Sequence, residues 1–150
     1  MARTTSLHHV ALRTDRFDQT VAFYRDGLSL TPVYEFRIGE GKRALILRCG
    51  ESPDSGHVEI FERDEADEDV PAEGRLLHLA LATPDVDAMY EKALAAGATS
   101  RMEPTDADHV NALPADQQPA GAERFTPRIA FVTGPSGEII EFFRDQLAVG

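Results

Sequence analysis

Apolar and polar positions alternate through "LHHVALRT" (Leu7–Thr14), the period of two residues expected of a β-strand. The pattern then changes. Across "RFDQTVAFYRDGL" (Arg16–Leu28) the apolar Phe17, Val21, Tyr24 and Leu28 recur at spacings of three and four, which predicts a helix. Three strand-like runs follow: "PVYEFRI", "RALILRC" and "HVEIFER". The same order then repeats. "LLHLAL" (Leu76–Leu81) reads as a strand, and "DVDAMYEKALAAG" (Asp85–Gly97) reads as a helix striped by Val86, Met89, Tyr90, Ala93 and Leu94, with Gly97 as its stop. A short candidate strand at Thr99–Met102, then "RIAFVT" and "EIIEFFR", complete the second half.

Superposing "HVALRT" (His9–Thr14) on "HLALAT" (His78–Thr83) gives an offset of 69 residues and makes His9, not His8, the equivalent of His78. The halves also end alike, Glu59-Ile60-Phe61 echoing Glu141-Phe142-Phe143, each followed by an Arg-Asp pair (Arg63-Asp64, Arg144-Asp145). Each half is therefore strand, helix, three strands, and each would leave a sheet face bare unless the two pack around a common core. The expected fold is α+β: one domain of two βαβββ modules, about 7–64 and 76–145, with a linker at about 65–75. The His78–Glu141 spacing exceeds the His9–Glu59 spacing by 13 residues. The excess falls in 103–127, a Pro-, Ala- and Asp-rich loop without sustained periodicity, hence a lid or mobile padding.

Strand parity puts Leu7, His9, Ala11 and Arg13 on one face and His8, Val10 and Leu12 on the other; His78 and Ala80 lie opposite Leu77, Leu79 and Leu81, whose bulk is expected to meet a helix. Glu59 shares its face with His57 and Phe61, and Glu141 shares its face with Ile139 and Phe143. A carboxylate inside so apolar a strand is costly to bury alone. Two histidines and two glutamates at repeat-related places form a donor set for one divalent transition metal: Zn, Ni, Co, Mn or Fe. His57 is a spare candidate; His8 and His109 read as non-ligands.

Composition narrows the partners. Among 150 residues the net charge is -11, against the cationic surface a nucleic-acid binder needs. The acidic run Glu62–Val70 reads as a solvated linker. The absence of a membrane-length apolar run or a signal-peptide core gives a cytoplasmic expectation. Cys49, the single cysteine, reads as a packed small residue at the end of an apolar run.

The stretches "HHVALRTDRFDQTVAFYRDGLSL", "GHVEIFE", "LLHLALATPDVDAMYEKALAAGAT" and "IAFVTGPSGEIIEFFRD" resemble the vicinal oxygen chelate superfamily of glyoxalases, bleomycin-resistance proteins and extradiol dioxygenases. The resemblance implies a glyoxalase-like fold, curved mixed sheets around a metal cleft, with metal positions on His9, Glu59, His78 and Glu141. That set is closest to bacterial glyoxalase I; methylmalonyl-CoA epimerases usually have Gln at the Glu59 position. The implied activity is that of a lactoylglutathione lyase-like lyase or isomerase acting on a small α-keto or hemithioacetal substrate. In it a divalent metal stabilises an enediolate and a glutamate, Glu141 first and Glu59 second, moves the proton. Arg13 matches an arginine that holds a glutathione carboxylate, and Arg63 stands where glyoxalase I has a glutathione-contacting Asn, so both are implied substrate-binding residues. Relatives often build each site from two chains, which implies a homodimer. Two alternatives accompany this reading: a non-catalytic, drug-sequestering binding protein, and an Fe(II) dioxygenase-like enzyme in which Glu59 is a bystander.

Overall fold

The computed structural model describes residues 2–63, 76–134 and 138–147. The 65–75 linker, the acidic run from residue 64 onward, Asp64 of the first Arg-Asp pair and the turn at 135–137 lie outside them. In chain order the strands are β1 (Ser6–Thr14), β2 (Thr31–Ile38), β3 (Lys42–Arg48), β4 (His57–Glu62), β5 (Leu76–Ala82), β6 (Thr99–Asp106), β7 (His109–Val110), β8 (Arg124–Phe125), β9 (Arg128–Thr133) and β10 (Ile139–Arg144). Helix α1 (Phe17–Ala22) follows β1, and α2 (Val86–Ala95) follows β5.

Among these, eight strands form one mixed sheet in the order β2-β3-β4-β1-β5-β10-β9-β6. β1 runs parallel to β4, β5 runs parallel to β10, and β1 and β5 join the halves edge to edge, antiparallel. The α+β architecture expected from the repeat is the one observed. One face of the sheet carries α1, which buries Phe17 and Val21 against Leu45, Leu47 and Ile60. α2 covers the same face of the other half, burying Val86, Met89 and Tyr90 against Ala130, Val132 and Phe142. Of the aliphatics on β5 expected to meet a helix, Leu81 packs with the α2 cluster, whereas Leu79 is 45% exposed. Among the described residues no helix is long and apolar enough to cross a membrane.

Local chemistry explains both helix ends. Asp85 caps α2, its carboxylate accepting from the Ala88 N–H at 3.0 Å, and Gly97, at φ 107°, lets the chain leave after it as the sequence predicts. The first helix departs from its predicted register. At Phe23–Gly27 it widens to a π-turn, with the Leu28 N–H bonding to the Phe23 carbonyl at 3.0 Å. One extra residue per turn rotates the stripe, so Leu28 is 52% exposed and does not continue the buried face of Phe17 and Val21. Cys49 is exposed, not packed, because β3 ends at Arg48 and its cysteine neighbour begins the turn.

The 103–127 segment contains more order than its composition suggests. β6 runs on to Asp106, and β7 and β8 pair as a two-stranded ribbon. Between them the chain lies against β2. Buried Asn111 fastens it there: its amide donates to the carbonyls of Val33 (3.0 Å) and Ala122 (2.6 Å), and its side-chain oxygen accepts from the N–H groups of Glu35 (3.1 Å) and Leu113 (3.2 Å). Ala122 and Phe125 then fill the helix-free face of the first half, packed with Tyr34, Phe36, Ala44, Ile46 and Phe143. These contacts make the segment part of the core.

Two stability tests follow from these contacts. Asn111→Ala removes four hydrogen bonds and leaves buried backbone groups unsatisfied; a loss of about 2–4 kcal/mol is expected from urea unfolding. At the β3–β4 edge, Arg43 makes paired bonds to Glu62 (2.8 and 3.1 Å), reaches Asp18 of α1 at 2.8 Å, and lies over the Phe17 ring at 4.4 Å. The hydrogen bond from Arg43 holds the Glu62 carboxyl down at about 2. A lowered folded value means stability that is complete above the ordinary carboxylate range, near pH 4.5, and lost as pH falls toward 2. Glu62→Gln should therefore lower Tm at pH 7, with the difference from wild type shrinking to nothing near pH 2 in thermal melts followed by circular dichroism.

Candidate metal centre

The helix-free face of the β1–β5 seam carries two cross-strand rows. In one, Ala80 pairs with His9 on one side and Glu141 on the other; in the second, Ala11 pairs with His78 and Glu59. The rows are related by the approximate twofold symmetry of the halves, so the repeat detected along the chain becomes a symmetric ring of four side chains. Both central residues are alanine and fully buried. Their single methyl groups leave room above the seam in which four long side chains converge.

The convergence is close. His9 Nε2 and His78 Nε2 lie 3.0 Å apart, and Glu141 Oε2 is 2.9 Å from each. Glu59 Oε1 stands further back, 3.7 Å from both nitrogens. All four belong to a single chain, so a second copy is not needed to complete the cluster. The side chains are 0–8% exposed, His78 the most. Glu141 Oε2 is buried, and despite its short distances it accepts no well-formed hydrogen bond among the described residues.

This arrangement fits a cation. Donors mutually 2.9–3.0 Å apart match the edge between ligands held at right angles about 2.1 Å from a shared centre. Neutral imidazole nitrogens and carboxylate oxygens suit the borderline divalent transition metals. The electrostatics separate the two acids. For Glu59, burial is the dominant influence and raises its pKa, with the nearby Glu141 charge adding to it against His9 and His78. For Glu141, burial also pushes upward, but the His9 charge and the approach of both imidazoles overcome it and bring the carboxyl to about 2. His9 is raised: burial lowers it, but the Glu59 and Glu141 carboxylates outweigh that.

The predicted substrate residues stand at one end of the same seam. Arg13 pairs in register with Phe61, and the Arg63 N–H bonds to the Thr14 carbonyl at 2.7 Å, joining the ends of β1 and β4. Arg13 is half-buried, and its Nε has no hydrogen-bond partner among the described residues. Phe61 and Phe131 flank His78, with ring centroids 6.4 and 5.2 Å from it. A pocket of about 830 Å³ opens elsewhere, around Arg3, Ser6, His8, Ala82, Arg144 and Asp145, and none of the four donors lines it.

His8 departs from its predicted place. The β1–β5 register slips between Leu7 and His9, a β-bulge in which His8 is the extra residue. Leu7 consequently pairs with Leu81 on the helix side, while His8 turns toward His9, His57 and Phe143. It reaches Asp145, whose role strand parity did not register. Two signals in the chain pointed that way: the His8-His9 doublet, and the Arg-Asp pair closing each half. His57 donates from Nδ1 to the His8 carbonyl at 3.0 Å and stays out of the ring of four. His109 lies against Phe36, at 5.1 Å between ring centroids.

Comparisons with known proteins bear on the fold and the family. Curated protein sequences gave no match. Among solved structures, a methylmalonyl-CoA epimerase from Streptomyces coelicolor, in complex with 2-nitronate-propionyl-CoA, superposes with a TM-score of 0.69 at 19% identity over 99% of both chains. The Mycobacterium tuberculosis methylmalonyl-CoA epimerase gives 0.64 at 23% identity, covering 95% of this chain and 89% of that one. An Mn(II)-bound glyoxalase from Novosphingobium aromaticivorans gives 0.65 at 24% identity, over 97% of this chain and 40% of that one. These likenesses establish the fold. The sequence profile of the Glyoxalase/Bleomycin resistance protein/Dioxygenase superfamily matches residues 6–142, nearly the whole chain, and the protein belongs to that superfamily.

Proposed function

We propose that this protein is a divalent-metal-dependent enzyme of the glyoxalase I type, a lyase or isomerase that moves a proton between adjacent carbons of a small α-keto or hemithioacetal substrate. One observation carries the reading: His9, His78 and Glu141 present three donor atoms 2.9–3.0 Å apart, with a second buried carboxylate, Glu59, held 0.7–0.8 Å further off. His9, His78 and Glu141 would hold the metal, with Glu59 as an exchangeable fourth donor. The bound ion would supply a positive charge for oxygens on neighbouring substrate carbons.

Glu59 is then the better proton carrier. A base must be free to reach the proton, and Glu59 stands 3.7 Å from both imidazole nitrogens where Glu141 is held at 2.9 Å. The family resemblance alone implies Glu141 first and Glu59 second, and the two variants proposed below separate the orders. Arg13 and Arg63, at the end of the same seam, would receive a carboxylate or other anionic group of the substrate. Phe61 and Phe131 would wall the approach past His78, the most exposed of the four donors.

A second reading draws on the same three donors. Two imidazoles and one carboxylate are also the set used by non-haem Fe(II) oxygenases. Against it stands Glu59: as a bystander it would be a carboxylate buried 3.7 Å from two imidazoles for no purpose, at a desolvation cost. A protein that only sequesters a drug needs no such cluster.

Metal analysis by mass spectrometry should find about one transition metal per chain in wild type. Glu141→Gln should weaken binding by more than the roughly 10–100-fold typical of losing an outer-shell partner. Glu59→Gln should keep most of the metal and slow solvent deuterium incorporation into a hemithioacetal by about 10²–10⁴-fold. Protein that cannot be loaded with Zn, Ni, Co, Mn or Fe would sink the reading; oxygen uptake by the iron-loaded form without deuterium exchange would favour the oxygenase. A steric control comes from the seam: Ala80→Val places two methyl groups between His9 and Glu141 and should abolish metal uptake while the far-ultraviolet circular dichroism stays native.

A further inference from the structure

We infer that Asp145 and His8 are positioning residues that lock His9 in its Nδ1–H tautomer, presenting a bare Nε2 to the donor cluster. Asp145 Oδ1 accepts from the Leu147 N–H at 2.8 Å and from the Tyr34 hydroxyl at 3.0 Å. Its other oxygen, Oδ2, lies 2.8 Å from His8 Nε2. An ionised carboxylate only accepts, so His8 carries its proton on Nε2. A neutral imidazole has one N–H, which leaves His8 Nδ1 as a lone pair. That lone pair lies 2.8 Å from His9 Nδ1, which must therefore donate. His9 Nε2 is left without a proton, facing His78 and Glu141.

Packing fixes the intermediary. His8 is the bulged residue of β1, which brings its ring onto the same side as that of its neighbour. One face of the ring stacks on His57 at 4.4 Å with the planes 9° apart, and Phe143 lies 4.1 Å from it. His57 is anchored in turn, since a carbonyl only accepts and its Nδ1–H must donate to the His8 backbone at 3.0 Å. His8 is 6% exposed and Asp145 is 8% exposed, so little of either group is open to water.

His8, His57 and Asp145 also gather closely enough to suggest a second metal site. The geometry points away from it. A ring nitrogen's lone pair lies in the ring plane, and two nearly parallel stacked rings do not aim their lone pairs at a common point. The His8 and Asp145 atoms that would be ligands are already bonded to one another. Outer-shell carboxylates that orient a metal-binding histidine are a general device; here a second imidazole is inserted between the carboxylate and the ligand.

The inference gives the metal-centre reading its orienting shell and depends on that reading for its purpose, but the tautomer itself can be observed on metal-free protein. Long-range ¹H–¹⁵N correlation spectra of the full chain, recorded at a pH alkaline enough to leave His9 neutral despite its raised pKa, should show His8 protonated on Nε2 and His9 on Nδ1. His8→Phe keeps a ring against His57 and Phe143 but offers no acceptor. In it His9 should lose its single tautomer, and Mn²⁺ affinity should fall by about 10–100-fold. A His9 proton on Nε2 in wild type would overturn the relay, as would a folded His8→Phe with wild-type tautomer and affinity. If His8→Phe does not fold, the wild-type spectrum alone decides. Wild-type protein with the expected tautomers that takes up no metal would defeat the metal reading and leave the relay standing.

Discussion

Everything chemically interesting in this molecule depends on the antiparallel pairing of β1 with β5. That single seam joins the two βαβββ halves, continues one sheet across them, and sets His9 opposite Ala80 and His78 opposite Ala11. The parallel neighbours β4 and β10 then supply Glu59 and Glu141 from outside the seam. Hydrophobic burial holds the halves in place from both sides: two helices on one face, and the Ala122–Phe125 stretch of the long excursion on the other. The backbone ladder fixes the separation of the donors, and the small residues between them fix how near they come. A carboxylate pair that would repel in an apolar interior is tolerated because two imidazoles sit between its members.

Much of this was legible in the chain. The repeat at 69 residues, combined with the two-residue period of strands, placed His9, His78, Glu59 and Glu141 on one face, and the structure brings all four together. The succession of strand, helix and three strands along each half was readable from apolar spacing, whereas the order of strands across the sheet was not. What escaped shares a physical cause: each is a local break in periodicity. The bulge at His8 inserts one residue and turns that side chain over, so parity assigned it to the wrong face. The π-turn at Phe23–Gly27 rotates the first helix and releases Leu28. The 103–127 excursion is built from a two-stranded ribbon and one buried asparagine, elements too short to leave a period.

Asp145 was visible only as an echo. The closing Arg-Asp pair of each half was noticed as similarity, but nothing in its spacing indicated that this carboxylate would fold back onto β1, 137 residues away in sequence, and bond to His8. Contacts of that kind follow from how the sheet curls. The repeat and the family resemblance agreed on the four donor positions and were silent on the shell behind them, where His8 and Tyr34 bond to Asp145.

The edge-to-edge seam has a consequence for how such a site can be lost or kept. Because all four donors come from one polypeptide, their effective concentration is set by the fold and not by protein abundance. Dilution that would separate subunits leaves the four-residue cluster intact. Each half can therefore drift at its outer surface without disturbing the cluster. The residues that cannot drift are small and inward: the two alanines, and the bulge that swings His8 beneath its neighbour.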